Sequence, residues 1–80
     1  LTRALMSGAD LSYANLRASD LEGANLCGAN LFRVNLREAN LKSVNLNWAN
    51  LQEARLSGAN LMDVSLHHAN FNSAFLKEVN

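Results

Sequence analysis

The stretch ANLCGANLFRVNLREANL, from Ala24 to Leu41, carries a leucine at every fifth residue. Each of these leucines, at positions 26, 31, 36 and 41, follows an asparagine, and the asparagine follows an alanine or a valine. A spacing of five matches neither the 3.6-residue period of a helix nor the two-residue period of a strand. The spacing therefore indicates a backbone that changes direction at regular intervals.

The same unit of five runs through the whole chain, whose 80 residues divide into sixteen units. The central position, at residues 1, 6, 11 and so on to 76, is leucine except at Met6 and Phe71. Two residues earlier stands alanine or valine, with Ser19 as the exception. One residue earlier stands asparagine or aspartate. Four residues break this last column: Leu5, Arg55, Ser65 and Phe75.

Neither a straight helix nor a flat strand buries these leucines on one face. On a helix, successive leucines would lie about 140° apart and would cover every face. On a flat strand, they would alternate between two faces. The unit 29–33 instead predicts Ala29 and Leu31 inward and Asn30 outward, followed by a bend at Phe32 and Arg33. Bends of about 90° close the path after four sides, which predicts a square β-helix.

The residue types fit this arrangement. One large and one small inward side chain on each side, leucine and alanine, fill a narrow interior. Asparagine and aspartate tolerate unusual backbone angles and bond to nearby backbone groups at turns. The four glycines fall at the bends, where they ease the change of direction. Sixteen units then give four coils of four pentapeptides, with coils about 4.8 Å apart.

The pattern A-[DN]-L-x-x, which covers the chain from end to end, resembles the pentapeptide-repeat family. The resemblance implies an all-β fold, namely a right-handed quadrilateral (square) β-helix solenoid. Proteins that this chain resembles are common in bacteria, particularly in cyanobacteria. The units that contain Leu5, Arg55, Ser65 and Phe75 depart from the pattern, so the local backbone at these positions stays open.

Composition excludes several classes of protein. Seven basic and seven acidic side chains give a formal net charge of 0, so we expect no direct binding of nucleic acid. Cys27 is the single cysteine, so no internal disulfide forms. No apolar run reaches the about 18 residues that a membrane span requires.

Outward positions carry a candidate protein-contact set: Tyr13, Phe32, Trp48 and Met62. Exposed tryptophan and tyrosine are favoured interface anchors, although single exposed apolar residues are also ordinary on protein surfaces. Tyr13 and Phe32 fall in one corner region of consecutive coils. His68 falls one coil above Trp48, which predicts that the two rings stack.

Stacking of residues twenty positions apart places Arg17, Arg37 and Lys77 in one column, and Arg55 lies on the same side; these four residues form a candidate basic strip. Such a strip would bind an anion or an acidic partner. Glu38 and Glu78 lie beside it in sequence and weaken its field. The same stacking predicts two ion pairs between coils, Glu22 with Lys42 and Arg33 with Glu53, which are solvated pairs of modest energy.

The histidines and the cysteine raise the question of a metal. Adjacent side chains on a bend point in different directions, whereas a metal needs donors about 2 Å away, so His67 and His68 do not share one ion. Cys27 lies two coils, about 10 Å, below His67, with Asn47 between them. We therefore expect no metal. A cylinder filled with side chains also lacks a cleft, so we expect no cofactor and no catalytic residue.

Two classes of function fit these observations. The first is a non-catalytic structural or protein-interaction module, which acts as a rigid repeat scaffold or docking surface. The alternative, suggested by the resemblance, is a DNA-mimicking protein that binds a topoisomerase such as gyrase. That role needs a long acidic face, and the balanced charges do not supply one.

The chain opens within the pattern at Leu1, without a starting methionine. We therefore expect residues 1–80 to be a single repeat domain, excerpted from a longer chain in which flanking domains or a protein partner cover the end coils. Uncovered β-helix ends favour end-to-end self-association. The end residues in question are Leu1, Met6, Leu66, Phe71 and Leu76. We expect a cytoplasmic location, with the periplasm and the thylakoid lumen left open.

Overall fold

Parallel pairing between residues twenty positions apart organises the backbone. The computed structural model describes residues 3–80, which contain single-residue β-bridges and turns and no helix. Every bridge joins two residues in consecutive coils, and each is parallel. The bridges are Leu5–Asn25, Asp10–Asn30, Asn15–Asn35, Asp20–Asn40, Asn25–Asn45, Asn30–Asn50, Asn35–Arg55, Asn40–Asn60, Asn45–Ser65, Asn50–Asn70 and Arg55–Phe75.

The bridges define four sides, and the turns define four corners. Side 1 holds outward positions 5, 25, 45 and 65, side 2 holds 10, 30, 50 and 70, side 3 holds 15, 35, 55 and 75, and side 4 holds 20, 40, 60 and 80. Corner 1 follows side 1 at residues 7–8, 27–28, 47–48 and 67–68, and corner 2 follows side 2 at 12–13, 32–33, 52–53 and 72–73. Corner 3 contains 17–18, 37–38, 57–58 and 77–78, and corner 4 contains residue 3 with 22–23, 42–43 and 62–63.

Each corner is a β-turn whose third residue has a positive φ. The backbone N–H of the inward small residue donates to the carbonyl of the preceding central residue, as from Ala9 to Met6 at 3.0 Å. The positive φ falls two residues after each centre, for example 71° at Gly23 and 64° at Trp48. A type II turn requires this sign at its third residue. The predicted role of the glycines is confirmed, and twelve other residues adopt the same angle.

The backbone angles of the asparagine column differ from those that the sequence predicted. Its members pair across the coils and none has a positive φ, so the expectation of unusual backbone angles there was wrong. The expected local hydrogen bonds are present: Asn30 Oδ1 accepts from the Phe32 N–H at 3.1 Å, and Asn45 Oδ1 accepts from the Asn47 N–H at 2.9 Å. The carboxamide thus ties the corner to the side that precedes it, which is the Asx-turn geometry.

The interior consists of the two inward columns. From Leu21 to Ala59, every central leucine and every small residue two positions before it is at most 1% exposed. Burial of each leucine contributes about 1.5–3 kcal/mol. Ser19, the polar exception, lies inward with its Oγ donating to the Leu16 carbonyl at 2.6 Å. Large and small residues therefore share the core as the sequence predicts.

The four exceptions in the outward column do not interrupt the pairing. Leu5, Arg55, Ser65 and Phe75 all form parallel bridges with the neighbouring coil. Arg55, for example, donates its backbone N–H to the Val34 carbonyl at 2.9 Å. The main chain supplies these bonds, so the outward side chain does not decide the path of the backbone.

The first and fourth coils are more exposed than the two between them. Leu66 and Leu76 are 39% and 43% exposed, whereas the equivalent Leu46 and Leu56 are fully buried. Leu1, which the sequence places in the first coil, lies outside the described residues. The described coils measure 26 × 22 × 20 Å. Among these residues no helix is long and apolar enough to cross a membrane.

Candidate protein-contact surfaces

The predicted contact set is distributed over three corners. Tyr13 and Phe32 lie at corner 2, Trp48 lies at corner 1 and Met62 lies at corner 4. Tyr13, Trp48 and Met62 are 66%, 64% and 47% exposed, and Phe32 is half-buried. Tyr13, Phe32 and Trp48 lie at the two corners that border side 2, so the structure brings them to one face. Met62 lies on a different corner.

Corner 2 holds a packed aromatic pair. The Tyr13 and Phe32 rings meet edge to face, with centroids 5.5 Å apart and planes at 80°. The Arg33 guanidinium carbon lies 5.9 Å from the centroid of the Phe32 ring, and Arg33 Nε lies 3.0 Å from Glu53 Oε1. The predicted placement of Tyr13 and Phe32 at one corner and the predicted Arg33–Glu53 pair are both confirmed. These contacts favour the observed arrangement of the rings by about 0.5–1.5 kcal/mol for the aromatic pair.

Corner 1 holds a stacked pair. The Trp48 and His68 rings lie 4.1 Å apart, with planes 15° from parallel, as the sequence predicts. Stacking covers one face of the indole and leaves the side chain as a whole well exposed. The stacking therefore favours one orientation of the indole on the surface.

Side 2 lies between the two aromatic corners and carries an amide ladder. Its outward residues are Asp10, Asn30, Asn50 and Asn70. Asn50 Nδ2 donates to Asn30 Oδ1 at 3.4 Å, one coil below. We call side 2 together with corners 1 and 2 the aromatic face. It combines fixed aromatic rings at its edges with hydrogen-bonding amides at its centre.

The basic strip occupies corner 3 and side 3. Arg17, Arg37 and Lys77 lie at corner 3, and Arg55 lies on the adjoining side 3. Arg17 Nη2 lies 2.8 Å from Glu38 Oε1, and Arg37 Nε donates to Asn35 Oδ1 at 3.2 Å. A groove of about 300 Å³ includes Arg17 and Arg37 together with Glu38, Ser57, Gly58 and Glu78. The strip is thus a surface of mixed charge, as the neighbouring glutamates predicted.

One of the two predicted ion pairs is wrong. Glu22 Oε1 accepts a hydrogen bond from Asn40 Nδ2 at 3.3 Å, and Lys42 takes part in no ion pair within residues 3–80. Asn40 also donates to Asp20 Oδ1 at 3.2 Å, so its amide draws the Glu22 carboxylate toward side 4. Lys42 gains more from hydration than from one exposed carboxylate.

An asparagine at corner 1 makes contacts that the repeat pattern did not predict. Asn47 Oδ1 accepts from the Ser65 Oγ at 2.7 Å and from the His67 backbone N–H at 2.8 Å. In most units the N–H at that position bonds to the asparagine two residues before it, but here that residue is serine. Asn47 supplies the oxygen from one coil below. The paired occurrence of Ser65 and an asparagine eighteen residues earlier was the available signal.

The histidines and cysteine remain apart in the described coils. His68 stacks on Trp48, whereas the backbone of His67 bonds to Asn47. Cys27 is a free, half-buried thiol whose backbone N–H donates to Asn25 Oδ1 at 3.0 Å. Within residues 3–80, no group of three His, Cys, Asp or Glu residues could hold a metal ion.

The fold matches that of known repeat proteins. The family described as Pentapeptide repeats matches the chain in 8 copies, over residues 9–47 and 45–80. The chain therefore belongs to the pentapeptide repeat family, and its four coils form the right-handed quadrilateral β-helix of that family. Among curated proteins, no sequence matches the chain.

Several solved structures are similar to the chain. The first is HetL from the cyanobacterium Nostoc sp. strain PCC 7120, a pentapeptide repeat protein involved in heterocyst differentiation regulation, with 40% identity and a TM-score of 0.96 over 100% of this chain. The second is Rfr23 from Cyanothece 51142, with 39% identity and a TM-score of 0.93 over 95% of this chain. The chain spans 37% of HetL and 52% of Rfr23.

A third similar structure is another Nostoc PCC 7120 pentapeptide repeat protein, with 40% identity and a TM-score of 0.56. This chain covers 64% of that protein, and the match includes 90% of this chain.

Proposed function

We propose that this chain is a non-catalytic protein-interaction module, which docks a partner protein on its aromatic face. The observation that carries the proposal is the pair of ring contacts at the edges of that face: Trp48 on His68 and Tyr13 on Phe32. These contacts fix two side chains that are 64% and 66% exposed. Pre-ordered aromatic anchors lose little conformational entropy on binding.

The scaffold beneath the anchors favours the same role. Each coil donates and accepts backbone hydrogen bonds of 2.7–3.2 Å with the next, and no fully buried residue of the described coils is polar. Such a stack holds its outer residues at fixed separations. A standard interface uses roughly 800 Å² of each partner, which is less than a fifth of the 4495 Å² surface.

A crosslinking experiment tests the aromatic face. We expect p-benzoylphenylalanine at position 48 to form a specific adduct with a partner in extract of the native cells. The matched control places it at position 43, the same turn position of the same coil at corner 4, where we expect no such adduct. Unlabelled chain should compete for the adduct, whereas the variant with Tyr13→Ala and Trp48→Ala should not. Equal labelling at both positions would contradict the proposal.

The basic strip has less support as a contact surface. Glu38 neutralises Arg17 at 2.8 Å, and Glu78 lines the same groove, so an anion meets two carboxylates there.

A DNA-mimicking function receives no support from the charge, since seven acidic and seven basic side chains balance. The proposal accordingly involves no nucleic acid and no cofactor. We propose the cytoplasm as the compartment, with the periplasm and thylakoid lumen as the alternatives.

End-to-end self-association of the 80-residue chain is a further part of the proposal. The exposed Leu66 and Leu76 belong to the same inward columns that the coils bury against one another. We expect sedimentation velocity to show a mass that rises with concentration, because an open sheet edge also templates pairing. A variant with Leu66→Lys and Leu76→Lys should associate less. A monomer that does not depend on concentration and melts cooperatively would contradict this part.

A further inference from the structure

At corner 1, the surface below the Trp48 ring is open at two consecutive glycines, and we call this open surface the recess. Its column of turn residues with positive φ is Gly8, Gly28, Trp48 and His68. A Cβ added at Gly8 or at Gly28 would meet no atom within 4 Å. In this column two consecutive coils therefore carry no side chain, over a height of about 4.8 Å for each coil, whereas Ser7 and Cys27 occupy the adjoining column of the corner. The recess is as tall as two coils and is bounded above by the indole.

The two faces of the indole have different surroundings. His68 covers the upper face at 4.1 Å. The other turn columns show that side chains at this position lean toward the next coil: a Cβ at Gly58 would meet Glu38 Cγ at 3.3 Å, and one at Gly23 would meet Arg3 Cγ at 3.2 Å. Trp48 leans upward in the same way, because none of its atoms lies within 4 Å of a Cβ at Gly28. Its lower face is turned to the recess.

Side 2, which borders the recess, carries one negative charge in the coil of Gly8. Among the described residues of corner 1 and of the two sides that meet there, Asp10 carries the single formal charge, with histidine taken as neutral. Asp10 lies two residues after Gly8. The Ser12 hydroxyl donates to Asp10 Oδ1 at 2.7 Å and the Ser12 N–H donates to it at 3.1 Å. These bonds hold the pKa of the Asp10 carboxyl below its ordinary value, so the carboxylate is ionised at neutral pH.

We propose that the recess receives an arginine side chain of the partner protein, whose guanidinium stacks on the lower face of Trp48. The inference rests on the proposed function and names the chemistry of the partner's anchor. A guanidinium is flat, always charged and suited to stacking on aromatic rings, and tryptophan is the strongest aromatic partner for a cation. Asp10 adds attraction for a cation. A phosphate-bearing nucleic acid would be repelled by it.

The single tryptophan of the chain makes the test direct. The probe is the peptide acetyl-Gly-Gly-Arg-Gly-Gly-amide, and the readouts are Trp48 fluorescence and the indole N–H resonance. We expect a saturable change in both with the arginine peptide. The citrulline peptide, which is flat and neutral, should bind about tenfold more weakly, the affinity equivalent of a cation–π contact. Asp10→Asn should weaken the arginine peptide and leave the citrulline peptide unchanged.

Filling the recess is the second arm of the test. Gly28→Tyr places a ring below Trp48 and should abolish the peptide response. Tyr13 adopts the same turn position with φ 63°, so a tyrosine fits this backbone. Ser43→Tyr is the matched control at corner 4, where the response should persist. Thermal melting of both variants checks that the fold is kept.

The outcomes separate this proposal from the docking function. Binding of the arginine peptide that Gly28→Tyr removes would support the recess. Equal binding of the arginine and citrulline peptides, or stronger binding of a phenylalanine peptide, would overturn the arginine assignment. The absence of any saturable response to the arginine peptide would also overturn it. A crosslinked partner at position 48 in that case would leave the docking function standing with a different anchor.

Discussion

Leu36→Ala should destabilise the chain by about 2–5 kcal/mol, the usual cost of a cavity left by a buried leucine. Leu36 is fully buried, with Leu16 below it and Leu56 above it in the same inward column. The surrounding coils are held by backbone hydrogen bonds on both sides, such as Leu36 N–H to the Arg55 carbonyl at 2.7 Å. They cannot collapse to fill the space, so the loss should fall in the upper part of that range. Urea melts provide the measurement.

Two matched substitutions make the result specific. Arg37→Ala changes the next residue, which points outward, and should cost less than about 0.5 kcal/mol. Leu76→Ala removes a leucine of the same column in the fourth coil, where the side chain is 43% exposed, and should cost less than Leu36→Ala. If all three losses were equal, the inward and outward assignment would be wrong.

The five-residue repeat was sufficient to predict the fold because it repeats the same physical requirement sixteen times. Leu31, for example, needs a buried position two residues after a small residue. Neither a straight helix nor a flat strand gives this position to every unit, whereas a square coil does. Single departures such as Arg55 do not alter it, since the pairing between coils uses backbone atoms. A pattern of this kind averages over local exceptions.

For the outward side chains, the sequence predicted which coils are in contact, but only partly which residues contact each other. Stacking at twenty residues correctly paired Trp48 with His68 and Arg33 with Glu53. Arg17 instead contacts Glu38, one position further along. The two residues of a corner point in diverging directions, and long side chains choose among several neighbours by rotamer. That choice depends on hydrogen bonds such as those of Asn40, which the column alone does not encode.

The aromatic face depends on the same divergence at the corners. Tyr13 contacts Phe32 rather than Arg33, the residue twenty positions later that lies directly above Tyr13. Trp48 and the open glycines share one column, so the recess follows from residue types at 8, 28 and 48. The sequence indicated which residues face outward. The structure adds which of their surfaces are covered by neighbours and which are left for a partner.

Asn47→Ala should destabilise the chain by about 1–2 kcal/mol, since it removes the acceptor of two hydrogen bonds. Asn47 Oδ1 bonds to the Ser65 hydroxyl and to the His67 N–H, at 2.7 and 2.8 Å. The His67 N–H has no asparagine two residues before it, so its bond is lost together with that of the hydroxyl. Chemical denaturation of the variant measures the change.

Adding Ser65→Asn to Asn47→Ala should restore most of the lost stability. An asparagine at position 65 places its own Oδ1 next to the His67 N–H, as Asn45 does for Asn47 at 2.9 Å and Asn25 does for Cys27 at 3.0 Å. Ser65→Ala is the matched control, which fills the same position without an acceptor and should restore nothing. If the asparagine failed to rescue, the loss would come from the packing of Asn47 rather than from its oxygen. Rescue would show that one coil can supply the turn oxygen that the next one lacks.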